Sequence, residues 1–242
     1  MSEIGIAGSL FLLIFVFVLP FLVVKKTRAQ RAAEAAGKTI ERSRYFLAVL
    51  INQAVFGILG IAVARAEWVD IFARGSVSLA AGALAAGTLA VALASVPLRW
   101  RLTPDDERRR LLAARPAKVG DLGLWFLVSL AAGFIEEIVY RGVMATLIER
   151  ITGSFAIAAV VSVAAFVLAH GGRGRHRLVV IGALAIVFHV LVRMTGTLFL
   201  AMALHFLYDF FAGVVYIQLG KRMPPAPAHA TAAPTVAPPV TS

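Results

Sequence analysis

Apolar residues run along this chain in long blocks, and the short polar stretches between them are rich in lysine and arginine. Seven blocks read as membrane-crossing helices: Ile4–Val24, Tyr45–Ala64, Ser76–Pro97, Leu122–Ile148, Ser154–His170, Leu178–Val192 and Thr197–Leu219. A helix needs about 20 mostly apolar residues to cross a hydrocarbon core of about 30 Å. The pattern predicts an all-α fold, a polytopic transmembrane helix bundle of about seven to eight spans. The first block lacks a basic start and is followed by Lys25 and Lys26, so it reads as a retained span rather than a cleaved leader. The fourth is long; its first turns are expected in the headgroup interface, with Trp125 as an interfacial anchor. The third, rich in alanine and glycine from Ala80 to Gly87, is expected to pack closely against its neighbours.

Composition sharpens this reading. The 242 residues are 60% hydrophobic and only 15% charged, against roughly 25% charged in soluble domains. The predicted organisation is one transmembrane domain over 1–222, with its chemistry concentrated in 120–215, and a disordered Pro/Ala-rich tail over 223–242. The net charge of +11 does not point to nucleic acid, because the cations sit in loops. Assigning 25–44, 99–118, 173–177 and 221–222 to one side puts 19 of 24 Lys and Arg there; Arg65, Arg74, Arg150 and Arg193 fall on the other. That asymmetry predicts a cytosolic C-terminus and contact with anionic lipids. The alanine- and arginine-rich usage points to a bacterial chain, hence to the inner (cell) membrane. Cysteine is absent, which excludes thiol nucleophiles and thiolate metal sites.

Against this apolar background the charges inside blocks stand out. Each costs roughly 2.5–3.5 kcal/mol near the bilayer centre on insertion scales, so it faces protein or a wet cavity. Four i, i+4 relations matter: Glu136 with Tyr140, Glu137 with Arg141, Phe166 with His170, and His205 with Asp209. Neighbouring residues diverge by about 100° on a helix, so Glu136 and Glu137 do not address the same atom. Glu137 with Arg141 reads as a structural pair, which leaves Glu136 to face His170 and His205. A carboxylate and two imidazoles could activate a water molecule, could stabilise the oxyanion of amide cleavage, or could hold zinc. Tyr140 and Phe166 read as packing residues lining the pocket, and His176, His189 and His229 as residues outside the site. No His-Glu-x-x-His pair and no Gly-x-Ser-x-Gly elbow is present.

Glu136-Glu137-x-x-x-Arg141, Phe166-x-x-x-His170 and His205-x-x-x-Asp209, each in its own apolar block, resemble the three motifs of the CPBP family. These are the CAAX prenyl endopeptidases and bacteriocin-processing enzymes, also called the Abi family of intramembrane proteases. Arg141-Gly142 and the run Arg193–Thr197 agree as well. The resemblance implies an intramembrane endopeptidase with catalytic Glu136, His170, His205 and Asp209, supported by Glu137, Arg141, Tyr140 and Phe166. It implies a membrane protein, a lipidated protein or a leader peptide as substrate, and no nucleic acid. No cofactor is required, although zinc on Glu136, His170 and His205 stays open. Where the family has Asn, Asp209 is either protonated and donates to the oxyanion, or is ionised and orients His205. The alternatives are a non-catalytic scaffold or immunity-type protein, and then a proton-coupled carrier. One tension accompanies the scheme: Glu136 and His205 lie about 21 Å from their cytosolic helix ends, whereas His170 lies at its own.

Overall fold

The computed structural model describes residues 3–35, 41–171 and 174–223. The tail expected to be disordered lies, from residue 224 on, outside the described residues, as do Arg173 and His229. All regular elements among the described residues are helical. A first helix combines α1 (Ile6–Leu12), a π segment (Leu13–Val18) and α2 (Leu19–Ala35). Then come α3 (Arg42–Ala66), α4 (Leu79–Leu102) and the short α5 (Asp105–Ala113). The fourth block becomes α6 (Leu122–Glu137), a π segment (Ile138–Met144) and α7 (Ala145–Thr152). It is followed by α8 (Phe155–Ala169), α9 (Arg175–Thr195) and α10 (Phe199–Gly220). Among the described residues six helices are long and apolar enough to cross a membrane, and α8, at 15 residues, is a shorter apolar helix. The chain is an integral membrane protein built as a polytopic helix bundle.

Local chemistry sets the helix ends. Ser78 Oγ accepts from the Ala81 N–H at 3.2 Å to start α4, and Ser154 Oγ accepts from Ile157 at 3.4 Å to start α8. Gly153 (φ 66) and Gly196 (φ 68) take the left-handed conformation that stops α7 and α9. The N-terminus of α1 borrows its cap: Glu67, at the end of α3, accepts from Gly5 (2.9 Å) and Gly8 (2.7 Å). The loop 103–121 contains α5, whose first turn carries Asp105, Asp106 and Glu107, charges that suit a helix N-terminus.

Thr27 meets Gly171, Arg42 bonds to the Leu112 carbonyl, and Gly220 abuts Leu112. The lysine- and arginine-rich loops therefore gather at one end of the bundle. Gly5, Glu67, Arg150 and the α7–α8 turn gather at the other, where Arg150 donates to the Glu67 and Trp68 carbonyls.

One expectation needs correction, and another holds for only some of its residues. Trp125 is no interfacial anchor: it is buried, and its indole Nε1–H reaches the Asp209 and Phe210 carbonyls at 3.2 and 3.3 Å, over Gly213. In the small-residue run of α4 it is the alanines, Ala81 and Ala85, that pack on Phe188, Leu191 and Leu204. Gly82 and Gly87 have open space beside them.

Candidate active site

Glu136 and Glu137 end α6, and their divergence on the helix is what separates their partners. Glu137 is fully buried; its Oε1 accepts from Arg141 Nη1 at 3.2 Å and from His205 Nδ1 at 2.9 Å. The Arg141 guanidinium lies over the ring of Phe166 (4.4 Å) and near that of Phe188 (5.2 Å), contacts that favour a desolvated cation. Glu136 turns to the other side. Its Oε2 stands 3.9 Å from Nε2 of His170 and 3.9 Å from Nε2 of His205.

Hydrogen bonds fix which nitrogen of each ring faces that carboxylate. A backbone carbonyl only accepts, so His170 Nδ1 donates to the Phe166 carbonyl (2.8 Å), and the neutral ring presents an Nε2 lone pair. His205 donates Nδ1–H to Glu137 and likewise turns Nε2 toward Glu136. The two Nε2 atoms and one carboxylate oxygen thus converge. A separation of 3.9 Å is too long for a direct hydrogen bond. It suits one oxygen sitting about 2.8 Å from both groups, at an angle of about 90°.

The pocket beside them, about 50 Å³, is lined by His170, His205, Asp209 and Phe166, room for one or two waters at about 30 Å³ each. Arg99, Arg115 and Arg177 also line it, toward the basic end. Arg99 folds back onto the Ala92 carbonyl and reaches the Tyr208 hydroxyl, both at 3.1 Å. Asp209 Oδ2 is 3.9 Å from His205 Nε2. The nitrogen that needs orienting is already engaged by Glu137, so Asp209 faces the reacting side of the ring. Of the packing residues, Phe166 lines the pocket and contacts His170 (ring centroids 4.4 Å), whereas Tyr140 stands edge-on behind it (4.9 Å).

The depth tension resolves when counted from the opposite end. Glu136 lies 16 residues before Thr152 and His170 lies 15 after Phe155, about 24 and 22 Å from the α7–α8 turn. For α10, the start is recessed: a Cβ on Gly142 would meet Leu198 and Ile71 at 3.1 Å. Gly142 is about 15 Å from Thr152, and His205 is about 9 Å beyond Phe199, which sums to about 24 Å. All three side chains are level. The π segment begins directly after Glu137, and buried Ser162 of α8 donates to the Tyr140 carbonyl within it at 2.7 Å.

Two contributors escape the motifs. Gln53 of α3 donates from Nε2 to Glu136 Oε1 at 2.7 Å; its signal in the sequence is an amide inside an apolar block. Trp125 fixes the backbone at Asp209, and nothing in the sequence distinguishes it from an interfacial tryptophan. His189 is buried in α9 and lines a separate cavity of about 240 Å³ with Arg141 and Arg193.

A tetrahedral zinc bound at about 2.0–2.2 Å would hold its ligand atoms about 3.4 Å apart. The 3.9 Å separations exceed that, and no group of three or more His, Asp or Glu among the described residues is spaced to hold a metal. The three candidate ligands do not fit zinc as arranged, and no step below runs through a metal.

Comparisons with curated proteins and with solved structures give no match. A family model does match, over residues 118–211, and its description is type II CAAX prenyl endopeptidase Rce1-like. That stretch contains Glu136, His170, His205 and Asp209, and in it the chain matches the CAAX-protease family that its three motifs resemble.

Proposed function

We propose that the protein is an intramembrane endopeptidase in which Glu136, assisted by His170, activates a water molecule held between the carboxylate and the two imidazoles. The observation that carries this reading is Glu136 Oε2 standing 3.9 Å from both Nε2 atoms. Glu136 takes one proton from the water, and the hydroxide adds to the scissile carbonyl carbon. His205, when doubly protonated, keeps Nδ1–H on Glu137 and gives Nε2–H to the oxyanion. As the tetrahedral intermediate collapses, the proton held by Glu136 passes to the leaving amine, directly or through His170 Nε2. Water is consumed, and a new carboxylate and amine result.

The substrate class is the one implied by the family that the motifs resemble. A membrane protein, a lipidated protein or a leader peptide would bring its peptide bond to the basic end, which the positive-inside rule assigns to the cytosol. A reporter after Leu219 is expected to read cytosolic and one near Val69 outside; the reverse would put the site mouth on the other face. The activity itself is tested by comparing membrane proteomes of cells carrying the wild type or Glu136→Gln. A membrane or lipidated protein that stays uncut only in the variant supports the reading, and identical proteomes overturn it.

A further inference from the structure

Gln53, Gly57 and Gly60 lie on one face of α3 at i, i+4 and i+7, the face that packs along α6 and its π segment. The glycines set the approach. A Cβ on Gly57 would meet Ile135 Cδ1 at 2.7 Å, and one on Gly60 would meet Val139 Cγ2 at 3.2 Å. At that separation Gln53, only 6% exposed, reaches Glu136 Oε1. The direction of the amide is determined by its partner. Facing a carboxylate, only the NH₂ end can bond, so Gln53 Oε1 points the other way, buried and without a hydrogen-bond partner among the described residues.

We propose that Gln53 is a positioning residue for Glu136: it pins Oε1 and so keeps Oε2 between the two imidazoles. A glutamate side chain has three rotatable bonds, and its terminal torsion is broad. Held by α6 alone, the carboxylate would turn about that torsion and carry Oε2 away from His170 and His205. The amide removes this freedom by holding Oε1 at 2.7 Å. The amide gives its donor to the carboxylate. Gln53 lies outside the matched stretch 118–211, so the first half of the chain completes the site rather than merely enclosing it.

The proposal rests on the peptidase reading, and its test separates the two. Full-length protein in lipid nanodiscs is compared as wild type, Gln53→Leu and Glu136→Gln by infrared spectroscopy. The carboxyl band of Glu136 is assigned as the one missing from Glu136→Gln. Gln53→Leu is expected to shift or broaden that band while leaving the melting temperature near wild type. Turnover of the protein found uncut in the proteome comparison should fall about 10–100-fold in kcat with KM little changed, the scale of a small misplacement at a reacting group. An unmoved band overturns the proposal whatever the protein cleaves. A shifted band in a protein with no turnover keeps Gln53 as the residue that holds Glu136 and overturns the peptidase reading instead. Gln53→Asn, one methylene too short to reach Oε1, gives the same two outcomes if the leucine variant does not fold.

Discussion

The helices that carry the candidate site and those that enclose them hide very different shares of themselves. In the apolar stretches of Val119–Thr152 and Phe199–Gly220, 44% of residues are buried, against 17%, 22% and 22% in Ile6–Ala29, Arg42–Ala66 and Leu79–Leu102. In water such exposure of apolar surface would be costly. In a bilayer a leucine against lipid tails loses little, so an outer helix can be apolar on every side. What needs enclosure is polarity. The inner helices accordingly bury Glu137, Arg141 and His205, and two of the enclosing helices turn polar side chains inward: Gln53 and Glu67 from α3, Arg99 from α4.

The sharpest way to break this contrast is at the inner carboxylate. Glu136→Gln keeps size and hydrogen bonding but removes the base. Turnover is expected to fall at least 10²–10⁴-fold, with the melting temperature near wild type; normal cleavage would end the assignment. Next comes Glu137→Gln. It leaves Arg141 between two phenyl rings without its counter-charge, a cost of about 3–5 kcal/mol in a dry site, and it weakens the grip on His205 Nδ1. Thermal melts and cleavage per folded molecule should both drop; a variant that is stable and fully active would refute both roles.

Apart from Gln53, the outer helices should respond in stability alone. Glu67→Ala leaves the Gly5 and Gly8 N–H groups uncapped, for about 1–3 kcal/mol, with cleavage per folded molecule unchanged. A fall in that specific rate would erase the distinction between enclosing and reacting helices. The smallest effect is expected at Asp209. Because Glu137 already orients His205, Asp209→Asn should leave the rate at neutral pH unchanged or raise it, its amide N–H becoming a donor to the oxyanion. A loss of several orders of magnitude, the scale of removing an orienting carboxylate, would show instead that Asp209 orients the ring.

Much of this was legible in the chain. Charged residues in apolar blocks announce themselves, and helical phase alone told Glu136 from Glu137, because a 100° step is a large angle. The basic loops likewise sorted to one end. Other features lay beyond pattern. Gln53 reads as one polar residue in an apolar run, and only the glycine-mediated approach of α3 to α6 reveals what it reaches. The fate of Trp125 depended on Gly213 leaving space for an indole, a contact 88 residues away in sequence. The π segment after Glu137 left no composition signal, and the recessed start of α10 depended on Gly142 admitting Leu198. Those two features change depth rather than identity, so the sequence could single out these residues as candidates while their common level stayed hidden.

That level has a consequence for anything to be cut. Counted from the basic ends, Glu136 lies 14 residues after Leu122 and His205 lies 15 before Gly220, about 21–23 Å along their helices. An extended chain advances about 3.3 Å per residue, so about six or seven residues fed in from that end would reach them. A fully embedded helix keeps its peptide bonds locked in its own hydrogen bonds. A segment entering from that end would therefore have to be unwound over about that length before its peptide bonds could meet Glu136.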